Sequence, residues 1–499
     1  MKRRTFCRSA LATAMATSLP MSRVFAAATK TMGKIVDDVP AVTRNGGETV
    51  LQKAAIKELR DGMRGQVLLP DNIGYDNARK IWNGMFDRRP ALIARCVLPA
   101  DVRDAVAFAR SNDLLVAVRS GGHSISGKSV CDGGIMIDLA PMTGVRVDPV
   151  DQVARVQAGA HLGHLDHEAQ AFGLATTAGT VSHTGCAGLT LGGGLGRLGR
   201  VYGLTCDNLL SADIVTADGK FLTCSADQNV DLFWGLRGGG GNFGIVTSFE
   251  YQLHKVGPEV LGGAVMYPLS EAREVLKFYG DFSLNAPVEL NLAAVMVQPP
   301  GGKGMILLGA TWLGSDSEGA RVLSSLREFG KPMVDSLGKH EYLHLQTDND
   351  RTLPHGLNYY MKAGFLQAVE PGLVDAMVDG VELSESRSFV TVMSQLGGAI
   401  ADVGATDTAF AHRDAAYDML IGANWSDDEL SEQHVKAMRD YWSNLAPFTH
   451  GFYVNNAMDE DVSRIRATYR GNYDRLVALK NQYDPGNFFH LNTNIEPTV

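Results

Sequence analysis

The stretch Arg119-Ser120-Gly121-Gly122-His123-Ser124, with Ser126-Gly127 just beyond it, decides the fold because it turns a buried strand into a loop suited to an anion. The apolar run over residues 114–119 predicts the strand. The glycine pair lets the main chain curl so that consecutive N–H groups point inward and form a nest for a pyrophosphate. A histidine inside such a loop is unusual, although a tight turn with an incidental imidazole is an alternative interpretation of this motif alone.

A second glycine cluster follows in the same half of the chain. It holds Gly179, Thr180, Gly185, Gly188 and the run Gly192-Gly193-Gly194. A literal G-x-G-x-x-G extends from Gly194 to Gly199, but Gly203 leaves too little room for the long helix that a dinucleotide-binding fingerprint needs. A backbone-lined surface against a flat ligand is the better interpretation.

The third cluster is the four-glycine run Gly238-Gly239-Gly240-Gly241, which lies between a helical turn and a strand that contains Ile245-Val246. Successive glycines carry a high entropy cost unless a ligand or another backbone needs the space. We therefore expect this loop to approach something closely.

The length of 499 residues allows two or three domains, since single cores rarely exceed roughly 250 to 300 residues. Short β-branched runs alternate with amphipathic stretches in the first half, which predicts one compact α+β unit over 40–256. A helix over 102–111, a strand over 135–139 and a hairpin over 145–156 are expected there.

The composition changes after His254, where glycine clusters give way to alternating strands and longer helices. We predict a second domain over 257–450, with strands at 290–297 and 305–311 and helices at 316–329 and 427–444. A third segment, 451–499, carries one helix over about 461–483 that stops at Asp484-Pro485-Gly486.

The charge and the N-terminus limit the possible partners and location. A formal net charge of -9 argues against nucleic-acid binding. Residues 1–28 read as a signal peptide, with Arg3-Arg4-Thr5-Phe6 similar to a twin-arginine export signal and a small-residue run at Ala26-Ala27-Ala28. We expect an exported protein, periplasmic or secreted, that is not inserted in a membrane once mature.

Taken together, the glycine motifs, Pro90-Ala91-Leu92-Ile93-Ala94-Arg95, Tyr483-Asp484-Pro485 and Asn492-Thr493-Asn494-Ile495 resemble the berberine bridge enzyme family of FAD enzymes. The resemblance covers nearly the whole mature chain. It implies an α+β fold of two lobes: a PCMH-type FAD-binding domain completed by the C-terminal segment, and a substrate domain with an antiparallel sheet covered by helices. The active site would lie between the lobes.

The resemblance also implies which residues hold the flavin. His123 would be joined to the flavin 8α-methyl group. The other cofactor-binding positions would be Arg119, Ser120, Gly121, Gly122, Ser124, Gly127, Gly179, Thr180, Gly185, Gly188, Gly192, Ile245, Val246, Asn472, Asn492 and Asn494. Val181 stands where many relatives carry a second, cysteinyl link, so we predict a single histidyl link and treat Cys186 as a packing residue.

No metal site is expected. His161, His164 and His167 are spaced so that the first and last lie far from a common helical face, which favours a solvated surface over a metal site. The odd number of cysteines after Cys7, with no C-x-x-C pair, indicates neither a zinc ribbon nor a disulfide scaffold.

The resemblance implies an oxidase that transfers a hydride from a C–OH or C–N carbon of a small organic substrate to flavin N5 and is reoxidised by O2 to give H2O2. It places Tyr469 and Tyr473 at the active site, and Tyr359, Tyr360 and Gln367 are further pocket candidates. A flavin-dependent dehydrogenase, a ring-forming tailoring enzyme and a non-catalytic nucleotide-binding protein are the alternatives.

Overall fold

A computed structural model describes residues 37–381, 383–456 and 458–499. The predicted signal peptide over 1–28 lies outside these residues. Among the residues described, no helix has the length and apolar character that spanning a bilayer requires.

The described chain contains both strands and helices throughout, with several runs of consecutive strands and a few short 3-10 turns. The strands are β1 Val39–Val42, β2 Glu48–Leu51, β3 Gln66–Leu68, β4 Leu92–Arg95, β5 Val116–Arg119, β6 Ile135–Asp138, β7 Val145–Asp148, β8 Val153–Gln157, β9 Leu174–Ala175, β10 Leu209–Thr216, β11 Phe221–Ser225, β12 Gly244–Gln252, β13 His254–Lys255, β14 Glu259–Pro268, β15 Leu290–Gln298, β16 Met305–Trp312, β17 Val334–Asp335, β18 Gly338–Glu341, β19 Asn358–Leu366, β20 Ser388–Gln395 and β21 Tyr417–Trp425. The helices are α1 Lys53–Gly62, α2 Tyr75–Arg79, α3 Pro99–Ser111, α4 Leu162–Gln170, α5 Cys186–Leu191, α6 Gly199–Tyr202, α7 Val230–Leu236, α8 Ala272–Leu284, α9 Asp316–Glu328, α10 Tyr342–Thr347, α11 Pro371–Asp379, α12 Ala399–Asp402, α13 Ser431–Leu445, α14 Val462–Tyr469 and α15 Tyr473–Tyr483.

The first lobe, residues 39–255 together with 452–495, surrounds one large apolar core. It contains a four-stranded sheet in the order β3-β4-β6-β5, in which β6 runs parallel to both β4 and β5. A five-stranded antiparallel sheet, in the order β11-β10-β12-β8-β7, packs beside it. The C-terminal residues Leu476, Phe488 and Ile495 are buried in the same core as these sheets.

The second lobe, residues 259–445, is an antiparallel sheet in the order β17-β14-β16-β15-β20-β21-β19, with β18 also paired to β14. Strict alternation of buried and half-buried residues along β15 and β20 gives the sheet two different faces. One face forms an apolar core with helices α8, α9, α11 and α13. The other face looks toward the first lobe.

Several expectations from the sequence are confirmed. The mixed α+β class is correct, and the hairpin predicted over 145–156 is the antiparallel pair β7 and β8. The helix after the G-x-G-x-x-G, α6, has only 4 residues, so the structure agrees with rejecting a dinucleotide-binding fingerprint there.

The single helix predicted over about 461–483 is wrong. The chain forms two helices, α14 and α15, separated by a 3-10 turn over Arg470–Asn472. Arg470 has a φ of 49°, a backbone conformation that an α-helix cannot accommodate. The exposed Gly471 that follows gives little support to a continuous helix.

Candidate functional site

The glycine-histidine loop begins at the carboxyl end of the parallel strands. Asp138 ends β6 and lies between the last residues of β4 and β5, Arg95 and Arg119. The carboxylate of Asp138 is fully buried. It accepts hydrogen bonds from Arg119 Nη1 at 3.0 Å and from Arg95 Nε at 3.1 Å. This ion pair fixes the point at which the chain leaves the sheet, which is the edge where open α/β sheets bind ligands.

The first two glycine clusters meet directly. A Cβ atom placed on Gly121 would lie 2.4 Å from the Cα of Gly185, so neither position has room for a side chain. Ser120 Oγ donates to the carbonyl of Ala158 at 2.5 Å, which ties the loop to the second sheet of the lobe. The predicted cofactor residues Ser120, Gly121 and Gly185 therefore form one continuous backbone surface.

His123 lies where this surface meets the second lobe. Its ring stacks on Trp82 at 4.3 Å between centroids, and Trp82 in turn stacks on Tyr359 of β19 at 3.7 Å. The rings of His183 and His355 lie 5.1 and 6.4 Å from that of His123. The Nε2 atom of His123 is enclosed and has no hydrogen-bond partner among the described residues.

The surroundings of His123 keep its imidazole neutral. Burial, with smaller contributions from His183 and His355, lowers the pKa of His123 to about 3. A neutral ring keeps a lone pair on one nitrogen, which is the form that can bond to carbon.

Asn83 joins the two lobes next to His123. Its side-chain amide donates to the carbonyls of Ile125 at 2.7 Å and Tyr359 at 2.9 Å, and its Oδ1 accepts from the N–H of Tyr359 at 3.0 Å. Asn83 is completely buried. These bonds hold the histidine loop and β19 in a fixed relation, which a site between the lobes requires.

Helix α5 leaves a space of the kind that a cofactor would fill. Gly188 is exposed, and a Cβ atom there would meet nothing within 4 Å, whereas Ala187 and Thr190 on the same helix are buried. The amide oxygens of Asn492 and Asn494 are enclosed and have no hydrogen-bond partner in the described part of the chain. A glycine loop beside His123, the open side of Gly188 and unpaired polar atoms are features that suit a large polar cofactor such as FAD.

The C-terminal tail is fastened to the four-glycine loop. Asn492 Nδ2 donates to the carbonyl of Gly241 at 3.1 Å, and Asn242 bonds the main chain of both Thr493 and Ile495. The loop thus approaches another backbone closely, as its sequence predicts. This contact also carries the predicted residues Asn492 and Asn494 to the FAD-binding lobe.

Other predicted cofactor residues have contacts of their own within the protein. Gly192 lies against the side chain of Asn455, and the Gly179 and Thr180 carbonyls accept from Gln346 and Asn349 of the second lobe. Ser124 Oγ accepts from the N–H of Lys128, and Gly127 O accepts from Arg88 Nη1. Their roles toward a cofactor stay predictions.

Ile245 and Val246 begin β12 and are both buried against β10. The amide of Asn472 donates to the carbonyls of Ala405 at 2.7 Å and Thr408 at 3.1 Å. The side chain of Asn472 in the C-terminal segment therefore donates to main-chain carbonyls of the second lobe. Its predicted contact with the flavin stays a prediction.

The two predicted catalytic tyrosines lie in different surroundings. Tyr469 is buried in the core of the first lobe, and its hydroxyl has no hydrogen-bond partner within the described ranges. Burial raises the pKa of this phenol, so Tyr469 holds its proton. Tyr473 is half-buried, with the exposed Arg466 guanidinium 5.1 Å from its ring centroid.

The three pocket candidates of the second lobe are separated by the sheet. Tyr359 faces the first lobe and stacks on Trp82. Tyr360 points to the other face, where its hydroxyl bonds Asp459 and Arg439. Gln367 is exposed just after β19. Period-two alternation along a strand forces neighbours to opposite faces, so at most one of Tyr359 and Tyr360 could line the site.

Sequence reasoning gave no role to His183, His355 and Asn83, which surround His123, or to Asp418, whose buried Oδ1 has no hydrogen-bond partner among the described residues. His183 and His355 stand in turns and have no motif of their own. Asn83 belongs to the run Trp82-Asn83-Gly84, which resembles the family, but only the structure shows that it joins the two lobes. Asp418 is a single carboxyl inside β21, and only the pairing of distant strands shows where it points.

Cys96, Cys131, Cys186, Cys206 and Cys224 are all free and buried. Burial raises the pKa of the Cys186 thiol, which keeps it protonated and poorly nucleophilic. Within the described ranges, no three His, Cys, Asp or Glu side chains are grouped as ligands for a metal ion.

Family comparisons define the class of protein. Residues 90–225 match the family model described as an FAD binding domain, and residues 452–496 match the model for berberine and berberine-like proteins. (R)-6-hydroxynicotine oxidase of Paenarthrobacter nicotinovorans is 33% identical over 461 residues, which cover 87% of this chain and 97% of that protein. The chain is thus an FAD-linked oxidoreductase.

Solved structures agree with this class. The crystal structure of 6-hydroxy-D-nicotine oxidase from Arthrobacter nicotinovorans matches with a TM-score of 0.81 at 31% identity, covering 87% of this chain and 98% of that one. Glucooligosaccharide oxidase of Acremonium strictum, described as carrying a 6-S-cysteinyl, 8α-N1-histidyl FAD, shares the fold with a TM-score of 0.81 at 24% identity, covering 89% and 100%. The chain belongs to the berberine-bridge-type family of FAD-linked oxidases.

Proposed function

We propose that this chain is an oxidase that holds FAD covalently through His123, takes a hydride from a C–OH or C–N carbon of a small organic substrate and passes the electrons to dioxygen to give hydrogen peroxide. The observation that carries the proposal is the enclosed, unpaired Nε2 of the neutral His123 imidazole. It lies between the backbone nest and the second lobe, where a tethered cofactor would face a substrate.

The glycine surfaces would hold the rest of the cofactor. Main-chain N–H groups around Gly121 and Gly122 suit the pyrophosphate, and the open side of Gly188 leaves room for a flat group. Asn492 and Asn494 each present an unpaired amide oxygen on the same lobe. When bound, FAD supplies the hydride acceptor that amino-acid side chains lack.

A single link is part of the proposal. Val181 cannot form a thioether, and the buried Cys186 thiol has a raised pKa. Tyr469, with its protonated and enclosed hydroxyl, would act as a hydrogen-bond donor toward the bound groups rather than as the initial base.

Denaturation in acid tests the proposal. The purified parent protein should keep its yellow chromophore after precipitation, and the peptide that contains His123 should carry the mass of FAD. His123→Ala should release any flavin, because the only proposed link is gone. His164→Ala is the matched control, since its ring stacks on His161 and not on His123.

Free flavin from both the parent and the control would reject the covalent link, and a colourless parent would reject the flavoprotein itself. The intact mass of the native protein also shows whether the proposed export signal, residues 1–28, has been removed. Stopped-flow mixing of the reduced protein with dioxygen separates an oxidase from a dehydrogenase, because only an oxidase reoxidises rapidly.

A further inference from the structure

The face of the second-lobe sheet that looks toward the first lobe is lined by apolar side chains in its centre. Val295, Val392 and Leu420 lie side by side, because Val295 pairs with Val392 and Val392 with Leu420 across three strands. All three are only half-buried, whereas Met393, the next residue after Val392, is fully buried under the helices. The centre of this face is therefore an apolar surface that the described chain covers only in part.

The two ends of the same face do contact the first lobe. At one end Tyr359 and Met361 pack with Trp82 and Ile125, beside His123. At the other end Phe365 packs with Leu204 of the first lobe. The half-buried centre thus lies between two closed ends, which makes it a cleft and not an outer surface.

Asp418 lies at the edge of this cleft. In the sheet it is paired with Phe365 on one side and Ser394 on the other, and Leu420 is the next residue of β21 on the same face. Asp418 is 8% exposed, and its Oδ1 is enclosed with no hydrogen-bond partner from any described residue. A buried carboxyl oxygen left unpaired is costly unless something outside the chain bonds it.

No hydroxyl of the described residues donates to the free oxygen of Asp418. The hydroxyl of Tyr453 is already bonded by the N–H groups of Gly194 and Leu195 and by Asn455 Nδ2. Burial raises the pKa of Asp418 to about 7, with no charged neighbour contributing. Among the residues that β15, β16, β19, β20 and β21 present on this face, Asp418 is the only one with a carboxyl or a basic side chain, and burial raises the pKa of the Tyr359 phenol at the other end of the face.

Resting on the proposed function, we infer that Asp418 binds the hydroxyl or amine of the substrate and accepts its proton, while the apolar body of the substrate lies on Val295, Val392 and Leu420. The substrate class is a small aromatic or alicyclic alcohol or amine with one polar group. An oligosaccharide does not suit this cleft, because the apolar centre would leave several sugar hydroxyls without partners.

The reaction balances with the groups already named. A C–H bond and an O–H or N–H bond of the substrate break, and a C=O or C=N bond forms. The hydride carries two electrons to the flavin, and the proton goes to the carboxylate of Asp418. Dioxygen then takes two electrons and two protons and becomes hydrogen peroxide.

Binding to the flavin-loaded protein tests this inference. Phenol, as a probe that cannot lose a hydride, should perturb the flavin absorption spectrum, and cellobiose should not. Asp418→Asn should weaken the binding of phenol by about 10- to 100-fold, since it removes a charge-assisted hydrogen bond. Ser388→Ala, at the far end of the same face, is the matched control and should bind phenol like the parent.

The pH profile provides a second measurement. Anaerobic reduction of the flavin by benzyl alcohol or benzylamine should become faster as pH rises through about 7, because Asp418 accepts a proton only when ionised. Asp418→Asn should reduce the flavin slowly and without that rise.

Each contrary result has a distinct meaning. Cellobiose binding in place of phenol, or no response to either probe, overturns the substrate class. Equal binding and equal pH profiles for the parent and Asp418→Asn overturn the role of Asp418. A parent protein without covalent flavin rejects the proposed function instead, and acid precipitation detects that independently.

Discussion

The side-chain amide of Asn472 is fully buried and joins the C-terminal segment to the main chain of residues 405–408. We expect Asn472→Ala to lower the free energy of unfolding by about 1–3 kcal/mol, because the buried carbonyl of Thr408 loses its donor and the exposed Ala405 loses its bond to the C-terminal segment. The covalent flavin should remain. Urea unfolding and acid-stable absorbance measure the two effects.

Asn481→Ala is a suitable control for this prediction, since the amide of Asn481 bonds the exposed Thr498 and should contribute little. Loss of flavin from Asn472→Ala, with an unchanged free energy of unfolding, would contradict this prediction. In that case Asn472 would hold the cofactor, as its place in the sequence motif suggests.

Single residues show what the sequence can and cannot predict. His123 is recognisable because its chemistry depends on adjacent glycines, and local sequence determines local backbone conformation. Asp418 is not recognisable, because its burial depends on strand pairs with Phe365 and Ser394, far away along the chain. The orientation of Tyr360 cannot be predicted for the same reason, since only the strand register decides which of two adjacent tyrosines faces the first lobe.

At the scale of elements, helix α5 is short and carries its one exposed glycine on the side where the cofactor is proposed. We expect Gly188→Leu to fold and yet to lose flavin, because its Cβ would meet no atom within 4 Å and the rest of the side chain would extend into the space proposed for the cofactor. Gly188→Ala is the matched control. It should keep the flavin and stabilise the helix by up to about 1 kcal/mol, since alanine favours a helix over glycine.

Flavin absorbance per protein and thermal unfolding of the two variants check this prediction. Full flavin content in Gly188→Leu would show that the open side of α5 faces solvent and not the cofactor. A loss of folded protein would instead reveal a packing contact that the structure does not contain.

The elements also show which structural features a sequence pattern predicts and which it does not. Strands such as β15 and β16 could be predicted closely, because their apolar residues alternate with a period of two. The break between α14 and α15 is harder to predict, because the apolar pattern continues across Arg470 and the neighbouring Gly471 is a weak local sign of a helix end. The turn is stabilised by tertiary contacts, among them the ion pair between Arg470 and Asp414.

At the scale of the whole molecule, a buried ion pair connects the two lobes. Arg413 of the second lobe donates from Nη1 and Nη2 to the two carboxylate oxygens of Asp207 in the first, at 2.6 and 2.7 Å. Both side chains are almost fully buried. Together with Asn83 near His123, this pair fixes the width of the cleft between the lobes.

Removing one partner of such a pair leaves an uncompensated charge inside the protein. Arg413→Leu should therefore lower the free energy of unfolding by about 3–5 kcal/mol, and Asp207→Asn combined with it should recover much of that loss. Lys339→Ala, which breaks the exposed pair with Asp316, is the control and should leave the free energy of unfolding close to that of the parent, because water screens exposed pairs. Chemical unfolding of the parent, Arg413→Leu, Asp207→Asn and the double variant gives the coupling energy. If Arg413→Leu lowered the free energy of unfolding as little as Lys339→Ala does, the lobes would be held together by their apolar contacts, and the ion pair would serve only to orient them.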